Sequence, residues 1–97
     1  MTPVIELNRY QTLDHVFTFD GTDLTGATFA LRDPKPAALA DANIELLQAA
    51  APASVRMFST REVAAQLAVG GGNHFILEVI LPNGSNIVLP KIGIKVT

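Results

Sequence analysis

His15 and His74 are the only imidazoles in the chain, and so the only side chains whose ordinary pKa lies near neutrality. They are not spaced as His-x-x-x-His, and Cys is absent, so neither the spacing nor the thiolates of a zinc site are present. Each begins an apolar run, where it reads as a strand-end residue. Ser59, His74 and Asp20 supply the residue types of a hydrolytic triad, but no Gly-x-Ser-x-Gly elbow presents the serine. Asp14, Asp20, Asp23 and Asp33 lie close together in sequence. Paired carboxylates can serve glycoside hydrolysis or hold calcium. Asp20-Gly21-Thr22-Asp23 lacks the alternating acids and closing Glu of a calcium loop, and turn formation accounts for its acids. Gly70-Gly71-Gly72 has no Lys-Ser/Thr behind it and reads as a flexible link before a strand. Asn83-Gly84-Ser85 has the form of a glycosylation acceptor, but after Pro82 it reads as a turn. The chain is therefore expected to be non-catalytic, with no cofactor and no bound metal.

The elements that would position any site are short strands. Phe17 and Phe19 share one face of Val16-Phe17-Thr18-Phe19, and Phe29 and Leu31 share one face of the next run. Turn residues from Asp20 to Gly26 separate the two, as hairpin neighbours or at a sandwich corner. Residues 37–51 are rich in Ala but crowded by Pro34, Pro36 and Pro52. They read as a loop followed by a strand near Ile44 to Leu47, with a helix as the alternative. Val55 and Met57 point inward from the next strand. Ser59-Thr60-Arg61-Glu62 fits a capping box opening a helix over residues 60–67, with Val63 and Leu67 on one face. Phe75, Leu77, Val79 and Leu81 then line one face of a long strand. Pro82-Asn83-Gly84-Ser85 turns it, and Ile87, Leu89, Ile92, Ile94 and Val96 return. This pattern predicts an all-β fold: an Ig-like antiparallel β-sandwich of about seven short strands with one short helix. Residues 1–97 are expected to form a single domain.

Composition bounds the partners. Hydrophobic residues make up 48% of the 97 and charged ones only 16%, against about a quarter in average soluble domains. The excess predicts apolar surface covered by another chain or by copies of this one, hence a homo-oligomer. Net charge is −2 and the Lys and Arg residues are scattered singly, so no nucleic-acid partner is expected. No apolar run approaches the ~20 residues of a membrane span, so no membrane partner is expected either. The opening Met1-Thr2-Pro3-Val4-Ile5-Glu6 lacks a basic start and a long apolar stretch, which predicts synthesis in the cytoplasm.

Four residues stand out as interface candidates. Ile76 and Ile80 occupy the second face of the long strand, where water-facing residues would be polar; a covering helix or a subunit contact would explain them. Arg56 and Phe58 face away from Val55 and Met57. An Arg on an apolar sheet stacks or pairs at interfaces, or covers apolar surface with its stem; Arg32 invites the same reading.

Phe17-Thr18-Phe19, Asp23-Leu24-Thr25-Gly26-Ala27-Thr28-Phe29 and Arg32 together resemble the start of small bacteriophage tail and baseplate modules, such as the N-terminal domain of the baseplate upper protein family. Val55-Arg56-Met57 with the segment to Leu67 resembles their middle. His74 to Gly84 and Ile92-Gly93-Ile94-Lys95-Val96 resemble their closing hairpin and strand. The resemblance implies an Ig-like sandwich used as a structural or docking unit, often in symmetric oligomers, and it transfers no catalytic residue. The expected function is that of a phage or prophage virion structural protein, associated with tail, baseplate or fibre. Its partners would be other phage structural proteins or copies of itself. The alternative is a small β-sandwich module that binds carbohydrate or a cell surface; one Tyr and no Trp leave it few aromatic platforms.

Overall fold

The computed structural model describes residues 4–97; Met1 to Pro3, part of the opening segment read above, lie outside the described residues. Eight strands run in the order β1 (Val4–Leu7), β2 (Asp14–Phe19), β3 (Thr28–Lys35), β4 (Asn43–Gln48), β5 (Ala53–Phe58), β6 (Gly70–Ile80), β7 (Asn86–Val88) and β8 (Ile92–Val96). A five-stranded sheet has the order β1-β8-β6-β3, with β7 also on β6, and packs on a three-stranded sheet ordered β2-β5-β4. β2, β5 and β4 take the places of strands B, E and D of an immunoglobulin sandwich, and β3, β6 and β7–β8 those of C, F and G. The Ig-like sandwich expected from the alternating runs is thus present.

The additional strand is β1. Its Ile5 and Leu7 point inward, but four residues are too few for alternation to announce a strand. It pairs parallel with β8, Val4 opposite Gly93 through Leu7 opposite Val96, so not every pairing is antiparallel. Its partner lies at the far end of the chain. In the immunoglobulin arrangement the first strand flanks B. Here it sits in the other sheet, and among the described residues β2 is left as an edge.

Inward residues of both sheets fill the core. Val55 and Met57 are fully buried beneath Phe75, Leu77 and Val79, as their alternation predicts. Each such side chain contributes roughly 1.5–3 kcal/mol by leaving water. Phe17 meets Phe75 edge to face at 6.5 Å between ring centres. Leu24 is also fully buried, and its N–H donates to the Ala49 carbonyl at 2.8 Å. The Asp20–Gly26 segment is therefore a sandwich corner that carries the chain from one sheet to the other. Gly26 closes it at φ +77°, and a Cβ there would lie 2.9 Å from Pro82 Cγ.

The helix is a single turn, Arg61–Ala64, rather than a run over 60–67. Thr60 is its cap and accepts from the Val63 N–H, whereas Ser59 is taken by the core edge: its Oγ accepts from the Leu13 N–H at 2.9 Å. Beyond Ala64 the bonds tighten to Gln66 N–H on the Val63 carbonyl and Leu67 N–H on Ala64. So short a helix does not persist on propensity alone. Gly70-Gly71-Gly72 is not a flexible link. It opens β6, with Gly70 at φ +105° and a register shift between Gly70 and Asn73 against β8. Buried Asn73 fixes that bend, bonding both the N–H and the carbonyl of Ala68 and the carbonyl of Ile94. Residues Ala37–Asp41 form a 3-10 turn whose Leu39 is fully buried, followed by β4. That settles the loop-or-helix alternative for residues 37–51 in favour of a turn and a strand.

Candidate assembly surface

The residues with chemical potential are dispersed. Leu13 and Ser59 bond at one end of the β2–β5 ladder, and Asp20 follows Phe19 at the other. The seven steps of extended chain from Leu13 to Asp20 span roughly 23 Å. Ser59, His74 and Asp20 therefore assemble no triad. His15 points inward from β2 and is half-buried, its ring 4.7 Å from that of Phe17. His74 lies on the outer face of β6, paired with Lys35 and Gly93. Asp23 accepts from both the hydroxyl and the N–H of Thr25, at 2.6 and 2.8 Å. These bonds, the hydroxyl's first, hold its carboxyl below the usual carboxylate range, as in a turn-forming acid. Among the described residues no group of three or more His, Cys, Asp or Glu could hold a metal ion.

The four interface candidates separate onto two opposite faces. Arg56 and Phe58 lie on the outer face of the three-stranded sheet. There Arg56 Nε and Nη2 donate to the two oxygens of Asp14 at 2.9 and 2.8 Å, and its Nη1 is 3.7 Å from Glu45. The guanidinium also rides 4.3 Å from the centre of the Phe58 ring. Its hydrogen bonds draw the Asp14 pKa down, and Asp14 in turn raises that of Arg56. One guanidinium thus serves two carboxylates, and the cluster keeps one negative charge.

Ile76 and Ile80 lie on the outer face of the five-stranded sheet. The helical turn does not account for them: it packs on the 3-10 turn and sends Val63 into the core. Between the two isoleucines stands Glu78, whose side chain is only 7% exposed although it points away from the core. Arg32 Nε and Nη2 donate to its Oε1 at 2.8 and 2.6 Å, and Asn86 Nδ2 donates to its Oε2 at 2.7 Å. The Asn86 bond, then those of Arg32, pull the Glu78 pKa down against the desolvation that would raise it. Around this neutralised centre are Ile76, Ala30, Ile80 and Val88, the last 56% exposed. The centre of this face is thus apolar around one internally balanced ion pair, and His74, Lys95 and Glu6 make its β8–β1 side polar.

Glu78, Asn86, Val88 and Val16 were not singled out by sequence reasoning. A lone Glu between Ile76 and Ile80 was the available signal, but its partners depend on strand register. Comparison with protein-family models, curated proteins and solved structures finds no match. Among the described residues no helix is long and apolar enough to cross a membrane.

Proposed function

We propose that this chain is a non-catalytic structural protein of a phage or prophage virion, associated with tail, baseplate or fibre, that works through protein–protein contacts. The observation that carries the assembly reading is the outer face of the five-stranded sheet. Glu78 is desolvated and fully bonded on a face that should be wet, and exposed Ile80 and Val88 flank it. A free surface has no need to bury and neutralise a carboxylate there, whereas a protein interface penalises an unpaired charge. The assignment to a virion is supported by the resemblance of Phe17 to Arg32 and of the closing hairpin to phage baseplate modules. Synthesis would be in the host cytoplasm, followed by incorporation into the particle.

Fractionation of particles from a producing host tests this reading. Peptides of this chain should co-purify with tails. Recovery only from the particle-free supernatant would contradict it.

One observation favours the alternative, a carbohydrate- or cell-surface-binding module. Tyr10, the only Tyr, is 64% exposed at φ +68°. It borders a shallow cleft of about 280 Å³ with Arg61, Glu62 and Ala65, and the Arg9 guanidinium sits 4.9 Å from its ring centre. An exposed aromatic beside polar side chains is the minimum platform for a sugar. Glycan-array binding abolished by Tyr10→Ala would favour this reading, and silence on the array would remove it.

A further inference from the structure

We infer that β2 is a docking edge for β2 of a second copy of this chain, the two strands running antiparallel in a register centred on Val16. The inference rests on the assembly reading in taking contact between chains as the working state, and it names the partner and the strand.

The other sheet edges are obstructed. β3 ends in Arg32-Asp33-Pro34-Lys35, with a register shift and Asp33 at φ +48°. β4 carries a register shift between Leu46 and Gln48. β1 has four residues, and β7 has three with Pro90 soon after it. Short strands, proline, charge and bulges are the devices by which edges avoid pairing. β2 has none of them except the charge of Asp14 at its start. It is six residues long, without Pro or Lys, and in unbroken register with β5 from Asp14 opposite Phe58 to Phe19 opposite Ala53.

The hydrogen-bonding phase can be read from one end. Leu13 turns both backbone groups toward β5: its N–H donates to Ser59 Oγ and its carbonyl accepts from the Ser59 N–H, each at 2.9 Å. Strand alternation then directs Asp14, Val16 and Thr18 outward, with their N–H and C=O groups aimed off the sheet. Among the described residues no side chain bonds to any of these groups.

A second β2 satisfies them reciprocally. With Val16 on the two-fold axis, Val16 faces Val16, and Asp14 of each copy faces the Thr18 hydroxyl of the other, a donor against an acceptor. Moving one pairing step either way brings Asp14 against Asp20, or His15 against His15. The first sets two carboxylates face to face and the second puts Asp14 against Val16, so side-chain complementarity selects the Val16-centred register. Val16 is 47% exposed, and this pairing covers it. The inward face gains as well. His15 and Phe17 of one copy would oppose Phe17 and His15 of the other. They would adjoin an apolar crevice of about 190 Å³ lined by Val4, Ile5, His15, Phe17, Leu89 and Ile92. The product is a continuous sheet, β4-β5-β2-β2-β5-β4, with β2 no longer an edge.

Analytical ultracentrifugation of the full chain and three variants tests the inference. Val16→Lys places two ammonium groups face to face, and Val16→Pro removes an N–H that the monomer does not use. Val69→Lys changes an exposed residue that belongs to neither sheet. The wild-type chain and Val69→Lys should show the same concentration-dependent dimer. Val16→Lys and Val16→Pro should raise its dissociation constant by about tenfold or more while keeping the wild-type circular dichroism spectrum. If Val16→Pro misfolds, Val16→Lys decides. A wild-type chain that stays monomeric, or a dimer that Val16→Lys leaves intact, overturns the inference. A monomer that still enters tail particles would sink the edge dimer alone. An edge dimer absent from every particle would instead sink the virion reading.

Discussion

Arg32 holds Glu78 across the β3–β6 ladder with two donors on one carboxylate oxygen, at 2.8 and 2.6 Å, although the residues are 46 positions apart. The pair is lopsided: the Arg32 side chain is 61% exposed and that of Glu78 only 7%. Truncating the arginine would leave a desolvated carboxylate with Asn86, among the described residues, as its one remaining hydrogen-bond partner. Arg32→Ala should therefore lower the urea midpoint more than Glu78→Gln, which removes the charge along with the need for its partner. Equal shifts would show that Glu78 is better solvated than its burial indicates.

Acid should weaken the fold through the same carboxylates. Asp14, Asp23 and Glu78 all have folded-state pKa values below their ordinary ones. The folded state therefore binds protons less readily than the unfolded chain. Their stabilising contribution is complete above about pH 5 and is lost as pH falls through the lowered values. Urea titrations from neutral pH downward should show a plateau and then a decline, and Glu78→Gln should make the decline shallower. A stability that rose on acidification would contradict the sign.

The corner after β2 should behave as core, not as a site. Leu24→Ala should cost about 2–5 kcal/mol, in the range of a buried leucine inside an element. Asp20→Asn should change little and Asp23→Asn should cost much less than Leu24→Ala, because the amide loses the charge but keeps an oxygen to accept from the Thr25 N–H. Thermal denaturation separates the cases. A large effect of the Asn variants on ligand binding would revive a carboxylate site.

Gly26→Ala should destabilise by about 1–3 kcal/mol, because φ +77° disfavours any Cβ and Pro82 Cγ would lie 2.9 Å away. Adding Pro82→Ala relieves only the contact, so part of the loss should remain in the double variant. Full recovery would assign the whole cost to crowding.

Alternation in Ser54–Phe58 and Phe75–Leu81 was sufficient to place Val55, Met57, Phe75, Leu77 and Val79 in the core, because a half-buried strand writes its burial into every second residue. β1 was illegible since four residues carry no period and its partner β8 is remote. Gly70 to Gly72 carry no side chains to betray a strand, and the bend there is held by Asn73 through backbone groups. The helix over 60–67 was overread: Ser59, the first hydroxyl of the apparent capping box, is committed to Leu13. Ile76 and Ile80 were legible as misplaced apolar residues. The ion pair between them was not, since register alone brings Arg32, Glu78 and Asn86 together.

The assembly claim is tested most directly by incorporating surface variants into particles. Tail fractions from a producing host expressing Ile80→Lys with Val88→Lys should lack the chain, although the purified variant keeps wild-type circular dichroism and thermal stability. Incorporation of that variant at the wild-type level would contradict the assignment of the outer five-stranded face to assembly.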